Sequence, residues 1–549
     1  MARPRIGRQR PEPEDKLEKE ALDRLKDARS QKGHVHADLY EAYVFAAPHR
    51  ARSISSRSKA TSAKAGEERL VDTNFFMEVC ADFPTEMENT FMPQTGGWAK
   101  RGPGMAVPDD KRKTVEDLAA KGDTKIFEAI AASNLYAEYG KGANPDLAIG
   151  IYAMWIDHRR AWEPIHCQSI PIRELEINLG PTGEIDDRFV VRHTKRRYVR
   201  TLLKGIDLPD EISKDIDDKP EEDACVVWGF WRRWDDEEKE GGERWQYVVL
   251  VDDDRVHDAV LKGAGACPLV IGRFGADNDF AWPRGPMLRT LADASVIDEL
   301  TYKKTKAIDF HIQPPLAIIG DDLPDSDAEA GYMYSFRQGT EIKSMYEPPP
   351  MDPAIYFSAD IEQRVKRIFY LDYPEQRGKT PPTASQWLDE MTMRQQRIGT
   401  PGYAFWTEAC AGTFIRFQYL LEKAGVIHEV NIDGKVIALS PYNPAQKSIE
   451  QQEVAMFARF VQIGGEAFPE EFKLKSDGGK TLENLARKMA VNEIWEQRSP
   501  DDIKAALSQL QGLAQNHPPQ APDVSGASAA PPPDTGSPPV QPRVTLRQV

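Results

Sequence analysis

The spacing of apolar positions changes several times along the chain, and each change marks a new element. Glu14 to Ser30 sets Leu17, Leu22 and Leu25 among alternating charges, the pattern of an exposed amphipathic helix at the periphery. A second helix is expected around Val71 to Glu88; Pro93, Gly96 and Gly97 stop the chain there, so that Trp98 can pack back near Phe91 and Met92. Thr114 to Tyr139 reads as helix again. From Asp146 to about Val270 the texture shifts to short runs such as Glu174-Leu175-Glu176-Ile177-Asn178-Leu179 and Gln246-Tyr247-Val248-Val249-Leu250-Val251. These are separated by turns at Gly180-Pro181-Thr182-Gly183 and Asp252-Asp253-Asp254, which makes this a β-rich block.

Arg284-Gly285-Pro286 then opens a single long helix to Ile312, with Leu288, Leu291, Ala294, Ile297 and Leu300 on its ridge and Gln313-Pro314-Pro315 closing it. Leu316 to Pro350 is a small strand-and-turn excursion. A further helix runs from about Asp352 to Asp372, its apolar side supplied by Ile355, Ala359, Ile361, Val365, Ile368 and Phe369. Tyr373 to Thr383 contains Pro374, Gly378, Pro381 and Pro382 and is a loop. Ala384 to Gly425 resumes as a very long helical pattern interrupted at Gly399-Thr400-Pro401-Gly402, where proline removes a helical hydrogen bond and requires a kink or break. Asp433-Gly434, between two short apolar runs in Val426 to Leu439, predicts a two-residue β-hairpin. Ser448 to Ile463 and Thr481 to Gln515 are helical patterns. The basic segment 1–13 and the Pro-, Ser- and Ala-rich stretch Pro518 to Val549 lack apolar periodicity and are expected to be disordered. No internal repeat is present.

A chain of 549 residues is longer than one hydrophobic core usually serves, so several packed units are expected. With 40% hydrophobic and 29% charged residues it can bury a core beneath a wet surface. No apolar run reaches the roughly 20 residues needed to cross a bilayer, and the Arg-rich start leads into charge rather than a signal sequence, which implies a cytoplasm-like compartment. The five cysteines lie far apart and read as reduced packing residues. The net charge of −16, from 71 basic and 87 acidic residues, disfavours a protein whose main task is to grip phosphates; DNA contact would be loose or confined to small basic loops.

Candidate chemistry is sparse. Gly378-Lys379-Thr380 and Gly479-Lys480-Thr481 imitate the end of a phosphate-binding loop, but Tyr373 and Leu474 stand where its first glycine is needed. Asp252, Asp253 and Asp254 lack the alternating ligand spacing of a calcium loop and read as a solvated turn. His34, His36 and His49 have no ligand partner in sequence and read as surface residues. Lys195, Arg196, Arg197 and Arg200, with Tyr198, form a basic run on an expected strand. That run fits nucleic-acid contact, a charge-protected strand edge, or an inter-subunit ion-pair face. No cofactor, metal site or catalytic residue is expected.

Taken in order, these segments resemble the head-to-tail connector (portal) proteins of podoviruses. The similarity starts near Asp38-Leu39-Tyr40 and runs through Phe91-Met92-Pro93 to Trp98. It continues in Ser133-Asn134-Leu135-Tyr136, Asp146-Leu147-Ala148-Ile149-Gly150 and Pro171-Ile172-Arg173-Glu174 with Gly183 after it. The most specific stretch is Pro268 to Arg273 followed by Trp282-Pro283-Arg284-Gly285-Pro286 and the helix to Pro314-Pro315, with Trp282-Pro283 where the family usually has Tyr-Gly. Pro382-Thr383-Ala384-Ser385 is similar to the family's entry into its kinked helix. The resemblance covers roughly residues 38 to 425.

The resemblance implies a multidomain α+β subunit of a twelve-fold ring, with no enzymatic activity. Residues 14–285 would form the wing, 286–312 and 352–372 two stem helices, 313–351 a small α/β clip between them, and 373–383 a loop into the tunnel. Residues 384–440 would be the kinked helix and a wing hairpin, and 441–517 a helical crown. It implies a virion component at the capsid vertex for packaging, retention and ejection of double-stranded DNA. The implied partners are further copies of the chain, capsid and scaffolding proteins, terminase and tail adaptors, with no membrane. Arg377 and Lys379 are the candidate DNA contacts of the tunnel loop, and Tyr334 and Phe336 the candidate clip interface. Two other readings remain: a metal-dependent DNA-processing enzyme using the Asp252 cluster, and a tail or adaptor structural protein.

The tail carries one expectation of its own. Truncation after His517 shifts the thermal transition by no more than about 1–2 °C, because a segment that buries no apolar surface contributes near-zero stability. A scanning-calorimetry trace showing a lower transition, or aggregation of the truncated chain, contradicts this.

Overall fold

In the computed structural model of the chain, the β-rich block folds as two antiparallel sheets and the helical patterns pack over and beside them. The structure describes residues 16–55, 71–94, 97–103, 107, 109–158, 164–312, 316–319, 341–344, 352–372, 397–399, 401–428, 431–432, 435–436, 439–442, 457 and 461. The chain divides into two units, Met1–Ser448 and Ile449–Val549. All elements described here belong to the first. The predicted loop 373–383, most of the expected crown and the Pro-rich tail lie outside the described residues.

The order begins with α1 (Lys16–Ala46), α2 (Pro48–Ser55), α3 (Phe75–Phe91), β1 (Lys100–Pro103), α4 (Asp109–Ala132), α5 (Leu135–Ala143) and the single turn α6 (Asp146–Ile149). The β-rich block follows as β2 (Ile151–Asp157), β3 (His166–Ser169), β4 (Leu175–Leu179), β5 (Ile185–Lys195), α7 (Arg196–Leu202), α8 (Asp210–Asp218) and β6 (Asp223–Arg232). It ends with α9 (Trp234–Glu240), β7 (Arg244–Val251), β8 (Asp254–Lys262) and β9 (Leu269–Arg273). Then come α10 (Pro286–Arg289), α11 (Leu291–Ile312), β10 (Leu316–Ile319), β11 (Glu341–Ser344) and α12 (Asp352–Ile368). A π-helical stretch, Trp406–Ala411, runs into α13 (Gly412–Lys423), followed by β12 (Asn431–Ile432), β13 (Lys435–Val436) and β14 (Leu439–Tyr442). This is the α+β class the sequence implies.

Strands β4 to β8 form a five-stranded meander, and β3, β2 and β9 a three-stranded sheet with β2 in the centre. Strands β5, β6 and β7 of the meander are buried on both faces. Val190, Val226, Phe230, Trp245 and Val249 face the main core. Phe189, Val191, Val227, Trp231, Val248 and Leu250 face Ala21, Leu25 and Ala28 of α1. The first helix is therefore longer than expected and not peripheral. Two alanines among its charges let it lie close on an apolar sheet face. Lys32 of the same helix is also buried, its ammonium donating to the carbonyls of Ile172 (2.8 Å) and Leu175 (2.7 Å).

The expected helix from Thr114 to Tyr139 is two helices, α4 and α5. Between them Asn134 turns its amide toward β3, accepting from the Cys167 N–H and donating to the Cys167 carbonyl, both at 2.8 Å. The first stop signal acts as the sequence implies: α3 ends at Phe91, and Trp98 is buried against Phe127 and Phe414, centroids 5.6 and 6.0 Å apart. The two short strands that flank the expected hairpin turn, β12 and β13, pair antiparallel with Ile432 opposite Lys435. All five cysteines are free thiols; four are buried, and burial pushes the Cys167 thiol up to about 12.

Two buried charges fasten the layers. Arg416 of α13 donates to the carbonyls of Ile156 (2.9 Å) and Ala266 (2.8 Å), and burial pulls its guanidinium down from the ordinary range. Asp146, at the start of α6, accepts from the Tyr43 hydroxyl of α1, from Arg50 of α2 (3.0 Å) and from the Ile172 N–H ahead of β4 (3.1 Å). Burial raises its pKa above the usual carboxylate range, against the pull of Arg50 and these hydrogen bonds. Replacing Asp146 by Ala leaves three donors without their acceptor and lowers unfolding free energy by about 3–5 kcal/mol. Chemical denaturation of Asp146→Ala checks this through the midpoint; an unchanged midpoint at an unchanged slope overturns it.

Candidate functional site

The region that the sequence marks as most distinctive begins where two backbones touch. Gly285 donates its N–H to the Ile149 carbonyl at 2.9 Å, and Phe274 donates to the Gly150 carbonyl at 2.7 Å. A β-carbon at Gly285 would lie 2.5 Å from the Gly150 nitrogen, a distance no side chain tolerates. Gly150 itself has φ of 130°, a region that favours glycine. Pro286 then starts α10 at a position where its missing N–H costs nothing.

The single helix expected from Pro286 to Ile312 breaks after one turn. The buried Thr290 hydroxyl donates back to the Pro286 carbonyl (3.0 Å), and Thr290 leaves helical geometry at φ −109° and ψ 12°. Helix α11 departs from there. Its 22 residues span about 33 Å at 1.5 Å per residue. Strands β10 and β11 pair antiparallel beyond its end, Leu316 opposite Ser344, and α12 returns. Arg364 meets Asp293, and Lys304 donates to the Ser358 hydroxyl at 2.5 Å, so the two helices run antiparallel side by side. At the base Phe369 packs on Phe83 at 5.9 Å, and Tyr370, with φ of 58°, ends the returning path.

Burial along the pair is uneven. Ala294 and Ile297 of α11, Ser358, Ile361 and Val365 of α12, and Phe369 just after α12 are buried. From Thr301 to Asp309 no described side chain is buried, and Tyr302 and Ile308 are 49% and 47% exposed. Phe357 on α12 is 53% exposed, and Ala359, expected on its apolar side, is exposed as well. Positions 361, 365 and 369 are buried as expected and Ser358 is buried where Ala359 is not, whereas Tyr302, Ile308 and Phe357 are exposed. These three large apolar side chains lie off the buried stripes, a sign present in the sequence but not picked out there. Around them stand Lys303, whose ammonium holds the Glu299 carboxyl below its usual range, and Lys306, stacked 5.7 Å from the Tyr302 ring.

The other candidates resolve differently. Only the first residue of the basic run is on a strand: Lys195 ends β5 and pairs with Asp223, while Arg196, Arg197 and Arg200 lie in α7, where they pair with Asp215 and Asp252, with Glu221 and with Asp217. Their charge is spent within the chain, which disfavours phosphate contact. The Asp252-Asp253 turn carries positive φ at both residues, and Asp252 accepts from the Cys225 N–H and Arg196, so it is a structural turn. His34 and His49 are exposed on α1 and α2. Tyr334, Phe336, Arg377, Lys379 and both Gly-Lys-Thr sequences lie outside the described residues. Among the described residues no group of His, Cys, Asp or Glu is arranged to hold a metal ion, and no helix is long and apolar enough to cross a membrane.

A search of curated proteins finds no match. The family model for the bacteriophage head to tail connecting protein matches residues 18–493, which contain every element described above except the first two residues of α1. With most of its length matched, the chain belongs to the bacteriophage head-to-tail connecting proteins, structural components of the virion that work as oligomeric assemblies at the capsid.

Proposed function

We propose that copies of this chain, from a podovirus-type phage, assemble into a closed ring, twelve-fold as in the connectors it resembles. The ring's channel passes double-stranded DNA during packaging, retains it and releases it on ejection. The observation that carries this reading is the antiparallel pair α11 and α12, whose outer part exposes Tyr302, Ile308 and Phe357 with no cover from its own chain among the described residues. Apolar side chains of this size on a charged helical pair fit burial against neighbouring copies, and heterologous neighbour contacts close rings. In this reading residues 14–285 are the wing, 286–312 and 352–372 the stem, 313–351 the clip, 373–383 the tunnel loop and 441–517 the crown. The net charge of −16 suits a channel, since an acidic wall repels phosphates and lets DNA slide. Capsid and scaffolding proteins would hold the outside of the ring, and terminase and then tail adaptors the clip end. Mass photometry and negative-stain imaging of the purified chain test the ring; a stable monomer at micromolar concentration across salt conditions overturns it.

Two sets of variants probe the parts. Tyr334→Ala with Phe336→Ala leaves the subunit folded but weakens neighbour contacts or partner docking, read as earlier ring dissociation on dilution or reduced packaging in a complementation assay. Unchanged values of both count against the clip assignment. Arg377→Glu with Lys379→Glu leaves rings intact and lowers DNA retention in filled particles, since each cation meets a phosphate at the strength of an exposed ion pair, about 1 kcal/mol or less. Intact rings that package and retain full-length DNA like the parent show the loop to be a spacer only.

A further inference from the structure

The two larger sheets have four edge strands, and three of them are blocked. On β3, Asn134 occupies the outward N–H and carbonyl of Cys167, and Glu138 accepts from the Ser169 N–H at 3.2 Å. On β9, Glu408 accepts from the Arg273 N–H at 3.0 Å. On β4, Lys32 takes the Leu175 carbonyl beneath α1. An unpaired strand edge invites another strand, and side chains that occupy its backbone groups prevent this.

Strand β8 is different. Its N–H groups pair inward at alternate residues: Gly263 donates to the Glu243 carbonyl, and that phase turns the backbone groups of Asp258, Val260 and Lys262 away from β7. Glu18 reaches only the start of the strand, accepting from Arg255 at 3.3 Å. From Val256 to Lys262 no side chain among the described residues occupies the outward edge. The side chains of Asp258, Val260 and Lys262 share one face and are exposed, Val260 at 38%.

We infer that β8 is an interface between two copies of this chain, pairing antiparallel with itself about a two-fold axis at Val260. In this register Val260 faces Val260 of the second copy, Asp258 faces its Lys262, and Lys262 faces its Asp258. All three residues present outward backbone groups, so they fall at hydrogen-bonded positions of the new ladder. Edge charges usually deter pairing; here the order acid, apolar, base is self-complementary and opposes unlike charges twice. Asp258 is held on its own strand by Arg255, while Lys262 has no ion-pair partner among the described residues. A two-fold contact is isologous and cannot close a larger ring, so this interface is separate from the neighbour contact proposed above and goes beyond it.

Site-directed cross-linking of the full chain tests it. Copies carrying Val260→Cys form a covalent dimer under mild oxidation, because hydrogen-bonded antiparallel partners stand about 5.5 Å apart at Cα, within disulfide reach. Copies with Asp258→Cys alone do not, since the two thiols would be about 14 Å apart at the rise of a strand, but they cross-link when mixed with copies carrying Lys262→Cys. Adding Lys262→Asp to Val260→Cys lowers the dimer yield by roughly ten-fold by opposing like charges twice, and adding Asp258→Lys as well restores it. Absence of the Val260→Cys dimer, equal cross-linking by Asp258→Cys alone, or a yield indifferent to charge reversal overturns the inference. Mass photometry of the reduced variants reads ring formation independently, so failure of the ring and failure of this contact are told apart.

Discussion

The buried carboxylate of Asp146 is the constraint on which the rest of the described structure depends. It sits in a helix of one turn and receives a hydroxyl from α1, a guanidinium from α2 and an N–H from the turn that starts β4. A carboxylate out of water is tolerated only when its lone pairs are met, so these segments are fixed to one another by a charge that would otherwise be costly. Four residues further on, Gly150 leads directly into β2 and lies against Gly285. The same short stretch thus anchors the N-terminal helices, the three-stranded sheet and the root of the α10–α11 path.

Charge is distributed with the same economy. Lys32 and Arg416 are buried cations that tie backbone carbonyls together, and the basic face of α7 is neutralised by acidic residues of α8 and neighbouring turns. The excess charge of the chain is acidic, and among the described residues α11 and α12 leave Val296, Tyr302, Ile308 and Phe357 exposed. In the ring proposed above, a chain built this way would meet its own copies through apolar side chains and would meet DNA with little attraction. Both fit the connector family, whose work is assembly.

Edges are managed one by one. Asn134, Glu138, Glu408 and Lys32 each occupy backbone groups that would otherwise template another strand. The helical segments that carry Glu138, Glu408 and Lys32, and the helix that Asn134 precedes, also pack on the core, so edge protection and packing come from one set of contacts. The meander's last strand lies beyond the reach of α1 except at its first turn, which is why its edge stays available.

The sequence by itself determined the elements whose signals are local. Alternation and turn residues located the meander, Gly285-Pro286 located a helix start, Asp433-Gly434 located a hairpin, and the order of segments located the family. Each depends on backbone preferences or on hydrophobic period within a few residues, so no distant partner was needed to read it. Tertiary structure decided the rest. Whether α1 is peripheral or buried depended on a sheet face more than 150 residues away; whether Arg196 binds phosphate or Asp215 depended on where α8 folds; the break at Thr290 followed from a buried hydroxyl turning back on its own helix. The exposure of Tyr302, Ile308 and Phe357, and the open edge of β8, are likewise properties of what does not cover them. Absence of a neighbour leaves no mark in the local pattern, because the same apolar residue fits a core or an interface until the rest of the chain has taken its place.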